Sequence, residues 1–463
     1  MIDPSSDERV AARAIATVTP IRPDIDPDAP QPFERGDHVE LADVTLHALG
    51  PNPVTHDCGE FYRYTPHLGI WELLPGPEVR TTIASFAGSP IYEGKKGPAP
   101  LKIGASTVKG TETIMRDRLQ SRRDRVKFAD ARSGVVFANG FATVQGGRVT
   151  LEEHSPLNCA RHAFPFDYDP NAPTPMLSEF FDGIFQDCSE DERADRVALI
   201  QEFVGVCLIG EATKYERCLI LYATGGNGKS EILRIMRGLF PPEAITTIAP
   251  QRWGDQFRTV LLVGKLANFV DELPESEIMS GESFKAIVTG NPIDIDVKHL
   301  TPFTFTPTAG HILCTNSPIA TADHTEGFWR RPLVLPLTHN FEGDAGRKHR
   351  AGQEVLEAEH AAIVAWALAG AARRQSQADY TIPGQSREIA REWRDESDVV
   401  RAFALAQPKA EDVRASEMYE RYKDWAKRCG YGQMSINKFG RRIKASKAYR
   451  VEERAMGSFY VRP

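Results

Sequence analysis

The stretch "LILYATGGNGKSEILRIM", residues 219–236, joins an apolar run of strand formers to a glycine-rich turn and then to an amphipathic run of helical period. A strand, a tight loop and a helix N-terminus in that order make a cradle for phosphate. Glycines permit the turn, bare backbone N–H groups face the phosphate oxygens, and the helix dipole adds partial positive charge. Gly225, Gly226 and Gly228 supply the turn. The spacing assigns Thr224, Gly225, Gly226, Asn227, Gly228, Lys229, Ser230 and Glu231 to a bound nucleotide. Lys229 is expected on the β- and γ-phosphates and the Ser230 hydroxyl on Mg2+, so ATP and Mg2+ are the expected cofactors. Ala223 stands where this pattern usually opens with glycine, a small-for-small exchange.

Further strands follow. "NFVDEL" (268–273) ends an apolar run on Asp271 and Glu272. Asp271 is expected in the Mg2+ shell, and Glu272 is expected to polarise the attacking water, because hydrolysis needs a carboxylate near the γ-phosphate. "HILCTN" (311–316) ends on Asn316, placed to orient water or sense the γ-phosphate. "GFWRRPLVLPL" (327–337) sets Arg330 and Arg331 before a fourth strand. One of the two, with Arg331 favoured, is expected to reach a neighbouring subunit's γ-phosphate. Strands alternating with helices make a parallel α/β sheet. Between the acidic pair and Asn316, alternating runs around "VKHL" predict an inserted hairpin tipped by Lys298 and His299, groups suited to a DNA backbone.

The chain has 463 residues, too many for one ordinary core. Residues 1–32 are Pro-, Asp- and Ala-rich and predict a disordered tail. Residues 33–155 predict a mixed α+β domain with turns at Asn139-Gly140 and Gly146-Gly147. Residues 156–215 predict a helical collar, 216–378 the ATPase core, 379–398 a linker and 399–463 a winged helix. The last 63 residues carry 15 Lys and Arg against 7 Asp and Glu, although the whole chain has net charge −7. That balance excludes a uniformly basic DNA-coating protein and marks a local basic domain, with Lys438, Arg441, Arg442 and Lys444 as its duplex-contacting residues. Seven scattered cysteines without a CxxC pair predict reduced thiols and no metal cluster. "AAIVAWALAGAA" (361–372) predicts a buried helix, and neither it nor the N-terminus predicts a membrane segment or secretion signal.

The order "GGNGKS", "FVDEL", "FKAIVTGNPI…KHL", "ILCTN", "FWRRPLVLPL" resembles superfamily 3 helicases, and most closely the helicase part of phage, plasmid and poxvirus-type primase-helicases. The likeness runs over about residues 60–463 and includes "FPFDYDP" before the collar and "IVAWALAG" after the core. It implies an AAA+-type P-loop ATPase core that assembles as a ring, expected as a homo-hexamer, and moves 3′→5′ along single-stranded or forked DNA. It also implies replication of a phage, plasmid or mobile element in the cytoplasm of a bacterial host. A primase domain of the long members is not expected. The Asp24/Asp26, Asp167/Asp169 and Asp294/Asp296 pairs do not sit in a primase-like sheet, so a separate primase or replication protein is the expected partner. An origin-melting initiator and a nucleotide-gated, DNA-bound scaffold remain as alternatives.

Overall fold

The computed structural model of the chain describes residues 33–91, 99–274, 278–296, 302–321, 323–343, 350–407, 412–429, 434–445, 448–455 and 457–461. The chain divides into two compact units. The first comprises the residues up to 143 with 150–168 and 294–305, and the second comprises 144–149, 169–293 and 306–463. The expected tail 1–32 and the hairpin tip with Lys298 and His299 lie outside the described residues.

In the first unit, helix α1 (His38–Ala48) begins at a reciprocal cap. Asp37 accepts the Glu40 N–H, and the Glu40 carboxylate accepts the N–H groups of Glu34, Arg35 and Gly36 at 2.7–2.8 Å. Strands β1 (Val54–Asp57), β2 (Glu60–Thr65) and β3 (Ile70–Leu74) form an antiparallel sheet in that order. Helix α2 (Gly76–Ser85), the short pair β4 (Pro90–Ile91) and β5 (Ala99–Pro100), and helix α3 (Ala105–Ser121) follow. Phe61, Leu74, Val79, Ile83, Met115 and Leu119 share one core, so the helices cover one face of the sheet. Strands β6 (Gly134–Phe137), β7 (Gly140–Gln145) and β8 (Arg148–Glu152) turn at the two glycine dipeptides. Gly140 has φ 147°, and a Cβ there would strike the Glu152 carbonyl.

The second unit opens with α4 (Pro175–Ile184) and α5 (Glu190–Leu208). Then come β9 (Cys218–Tyr222), α6 (Lys229–Gly238), β10 (Ile245–Thr246), the one-turn α7 (Gln256–Thr259), β11 (Ala267–Val270) and α8 (Gly281–Thr289). In chain order the inserted hairpin, β12 (Ile293–Ile295) and β13 (Phe303–Phe305), whose residues 294–305 belong to the first unit, precedes β14 (Gly310–Thr315), the one-turn α9 (Glu326–Trp329) and β15 (Pro332–Pro336). The sheet order is β10-β11-β14-β9-β15, and every pairing is parallel. Strands β11, β14 and β15 are buried along their length and β9 nearly so, which is why they read as continuous apolar runs.

The apolar run 361–372 lies within α10 (Ala351–Ser376), a 26-residue helix long and apolar enough, by length and composition alone, to cross a membrane. Here it packs along α5. A Cβ on Gly205 would strike the Ala367 carbonyl, and one on Gly370 the Gln201 carbonyl, so the two backbones touch where glycine stands. Gln201 donates to the Trp366 carbonyl at 2.7 Å, and Arg373 pairs with the buried Glu202 at 2.8 Å. Fully buried Arg196 of α5 donates to the Pro336 carbonyl and Gln385, tying the helical pair to the end of β15.

One expectation needs correction. Residues 379–398 are not a linker: α11 (Gly384–Ser397) spans most of them. Its buried residues, Ser386 and Trp393, stand seven apart on one face, and Trp393 packs edge-on against Tyr222. The many charged side chains around that narrow seam hide it from a composition reading. Beyond it lie α12 (Val399–Ala406), β16 (Val413–Arg414), α13 (Ala415–Arg428), α14 (Ile436–Ala445), β17 (Arg450–Arg454) and β18 (Gly457–Val461). The three strands pair in the order β16-β18-β17 around a core of Phe403, Tyr422, Phe439, Ile443 and Tyr460.

Candidate phosphate-binding site

Strand β9 lies between β14 and β15, so the loop that leaves it faces the end of β14, where Asn316 stands. The loop needs the left-handed conformations that glycine supplies: φ is 117° at Gly225, 66° at Gly226 and 74° at Gly228. Gly228 caps α6, so Lys229 and Ser230 open the helix with their N–H groups directed out of its end. The loop is held from behind. Asn227, 4% exposed, donates to the His339 carbonyl at 2.6 Å, and the Phe341 N–H donates to the Gly226 carbonyl at 2.9 Å. His339 in turn pairs with Asp187 at 3.0 Å.

A cavity of about 730 Å³ opens at this loop. Gly225 through Glu231 and Asn316 form one wall, and Met176, Phe180 and Ile184 of α4 with Phe341 and Val355 form an apolar one. Thr224 is exposed beside it. Phosphate-seeking groups thus stand at one part of the cavity and ring-accommodating apolar groups at another, the division a nucleotide requires.

The side chains at the strand ends are already organised. Lys229 donates to the Asn316 side-chain Oδ1, and the Asn316 side-chain Nδ2 donates to Glu272 at 3.3 Å. Asp271 pairs with Arg237 of α6, and its side chain is 67% exposed. Residues up to 87 positions apart are thereby joined across β9, β14 and β11. The donor set fits ATP with Mg2+: an ammonium, an exposed hydroxyl at Ser230, an exposed carboxylate at Asp271 and a second carboxylate at Glu272. The Glu231 side chain is used differently. It accepts the Gly352 N–H at 2.9 Å and lies 3.5 Å from Arg234, so it braces α10 against α6.

The two adjacent arginines have opposite surroundings. Arg331 is 5% exposed and donates to Glu216 at 3.0 Å, to Thr289 at 2.7 Å and to the Gly327 carbonyl. Arg330 also meets Glu216, at 2.5 Å, but its side chain is 57% exposed. The favoured reading of Arg331 as the outgoing arginine therefore meets an inward, three-partner side chain. On α14, Lys438, Arg441 and Lys444 are exposed, whereas Arg442 is turned in to Asp398 at 2.8 Å. Asp398 also accepts the N–H groups of Val400 and Arg401, so Arg442 secures the start of α12.

Sequence reasoning missed the cavity's second wall. Phe180, Met176, Phe341 and Arg350 line it from elements that carry no motif. The apolar period of 175–185 was the visible signal, but it only said that α4 has a buried side.

A family model described as a family of unknown function (DUF5906) matches residues 221–331, the stretch from the end of β9 to Arg331. No curated protein matches the sequence. Among solved structures, the fold is similar to the A form apo structure of the C-terminal region of NrS-1, with 13% identity and a TM-score of 0.52, over 92% of this chain and 98% of that one. An apo structure of NrS-1 residues 305–718 is similar at 13% identity and a TM-score of 0.51, over 93% and 99%. At this identity the likeness is one of fold, and it extends over nearly the whole of both chains.

Proposed function

We propose that the protein is an ATP-dependent DNA helicase that works as a ring, with ATP and Mg2+ bound at the β9–α6 loop. The hydrogen-bonded series Lys229–Asn316–Glu272 carries this reading. An ammonium, an amide and a carboxylate meet where the γ-phosphate and its attacking water would lie. The strand order, with β14 between the phosphate-loop strand and the Asp-Glu strand, supports an AAA+-type core. Bound ATP and Mg2+ supply the phosphoanhydride and its charge neutralisation. Lys229 would bind the phosphate oxygens, Ser230 and Asp271 would hold the cation, Glu272 would polarise the attacking water and take its proton, and Asn316 would orient that water. Arg330, the exposed member of its pair, is the residue that a neighbouring subunit would receive. The hairpin of Lys298 and His299 is assigned to single-stranded DNA on the family resemblance, and the C-terminal helices and wing to duplex.

A strand-displacement assay tests the reading. Wild type is expected to unwind a forked duplex with ATP, and Lys229→Ala is expected to lose at least about a hundredfold in both hydrolysis and unwinding. A Lys229→Ala protein that unwinds at the wild-type rate would end the assignment.

A further inference from the structure

Arg350 enters the phosphate cavity from an element that no motif marks. It lines the same cavity as Gly225–Glu231 and is exposed there, and its side chain has no hydrogen-bond or ion-pair partner among the described residues. Its placement is locally unfavourable twice over. Its φ of 74° and ψ of 21° are left-handed, a region that L side chains other than Asn and Asp seldom occupy. It also sets a cation at the positive N-terminal end of α10. Such conflicts concentrate where a side chain is held for a ligand.

The surrounding structure fixes it. The Gly352 N–H donates to Glu231 at 2.9 Å, and a Cβ on Gly352 would lie 2.6 Å from the Glu231 carbonyl, so α10 starts against the first turn of α6. Further along α10, at its kink, Glu359 accepts the N–H groups of Met176 and Leu177 at 2.7 and 3.0 Å, and so secures α4. One helix therefore holds both the phosphate-loop helix and the apolar wall, and Arg350 stands at its origin. Asn316 engages α6 at Lys229, the residue of the β- and γ-phosphates, whereas α10 meets α6 at Glu231, beyond Ser230. That offset directs Arg350 to the other end of the phosphate chain.

We infer that Arg350 grips the α-phosphate and ribose edge of a nucleotide bound to its own chain, a nucleotide-binding role beyond the phosphate-loop motif. The inference rests on the phosphate-loop reading. Its test is calorimetric titration of the full chain with MgADP and with MgATP, beside melting temperatures, for wild type, Arg350→Gly and Arg350→Lys. Glycine removes the guanidinium and suits the left-handed backbone. Arg350→Gly is therefore expected to melt no lower than wild type and to bind both nucleotides about 10- to 100-fold more weakly, the effect of removing a charge-assisted hydrogen bond. Arg350→Lys is expected to fall between. Three results would overturn the inference: unchanged MgADP affinity in Arg350→Gly, a weakening confined to MgATP, or a weakening that only accompanies a lowered melting temperature. A wild-type protein that bound neither nucleotide would remove the phosphate-loop reading itself, and this role of Arg350 with it.

Discussion

The core around the β9–α6 loop and helix α14 both present cations, and they present them differently. In the core, Lys229 has Asn316 as a polar partner, Arg237 has Asp271, and Arg331 has Glu216 and Thr289. On α14, Lys438, Arg441 and Lys444 have no ion-pair partner among the described residues, and only Arg442 is engaged. Groups that act on a reacting phosphate must be oriented before it arrives, because reorganisation at that moment raises the barrier. Groups that hold a mobile polyanion need no fixed partner, and their effect is a sum of screened attractions. Core substitutions should therefore behave as all-or-none losses, and α14 substitutions as graded, salt-dependent ones.

The sharpest way to break that contrast is the arginine pair. Arg330→Ala is expected to slow hydrolysis about a thousandfold if its guanidinium completes a neighbour's site. Stability should change by less than about 1 kcal/mol, because an exposed ion pair contributes little. Arg331→Ala is expected instead to lower stability by about 3 kcal/mol, because a buried, multiply bonded charge is removed. Steady-state ATPase rates and urea melts of both variants decide it; equal rates for Arg330→Ala and wild type would take the trans role away from this pair.

A smaller effect is expected on α14. Replacing Lys438, Arg441 and Lys444 together by Ala should lower duplex affinity about tenfold at moderate salt. The slope of log affinity against log salt should drop by about 0.9 for each phosphate no longer neutralised. ATP hydrolysis without DNA should be unchanged. Fluorescence anisotropy over a salt series reads this out, and an unchanged slope would make α14 a protein-docking helix.

The smallest effect concerns pH. His311 on β14 is fully buried between Trp253 and Asn268, and burial pushes its imidazole down to about 3. Its Nε2 has no hydrogen-bond partner among the described residues. The unfolded chain takes up this proton as pH falls below about 6.5, whereas the folded chain does not until about 3. Stability from this group is therefore complete above pH 6.5 and declines on acidification, by up to about 1.4 kcal/mol per pH unit. Urea melts at about pH 7.5 and 5.5, on either side of that ordinary histidine value, should show a shallower acid loss for His311→Gln than for wild type. Parallel losses would place the pH sensitivity elsewhere.

Much of the core was legible because its signals are local. A buried parallel strand needs consecutive apolar residues, and a tight strand-to-helix turn needs left-handed glycines, so 218–238 could be read directly. Helix α11 was not legible, because two buried residues in fourteen suffice to dock it. The turns at Asn139-Gly140 and Gly146-Gly147 were visible for the same local reason as the glycine-rich loop after β9.

By itself the amino-acid order determined the strand–loop–helix at 218–238, the apolar strands beside it and the excess of cations at the C-terminal end, since each depends on neighbours within a few positions. The tertiary structure alone decided that Asn316 rather than Asp271 meets Lys229, that Arg331 turns inward while Arg330 stays out, and that Arg350 joins the cavity. Those outcomes follow from strand order and helix packing between residues tens of positions apart, and two adjacent arginines carry no difference that a linear pattern could register.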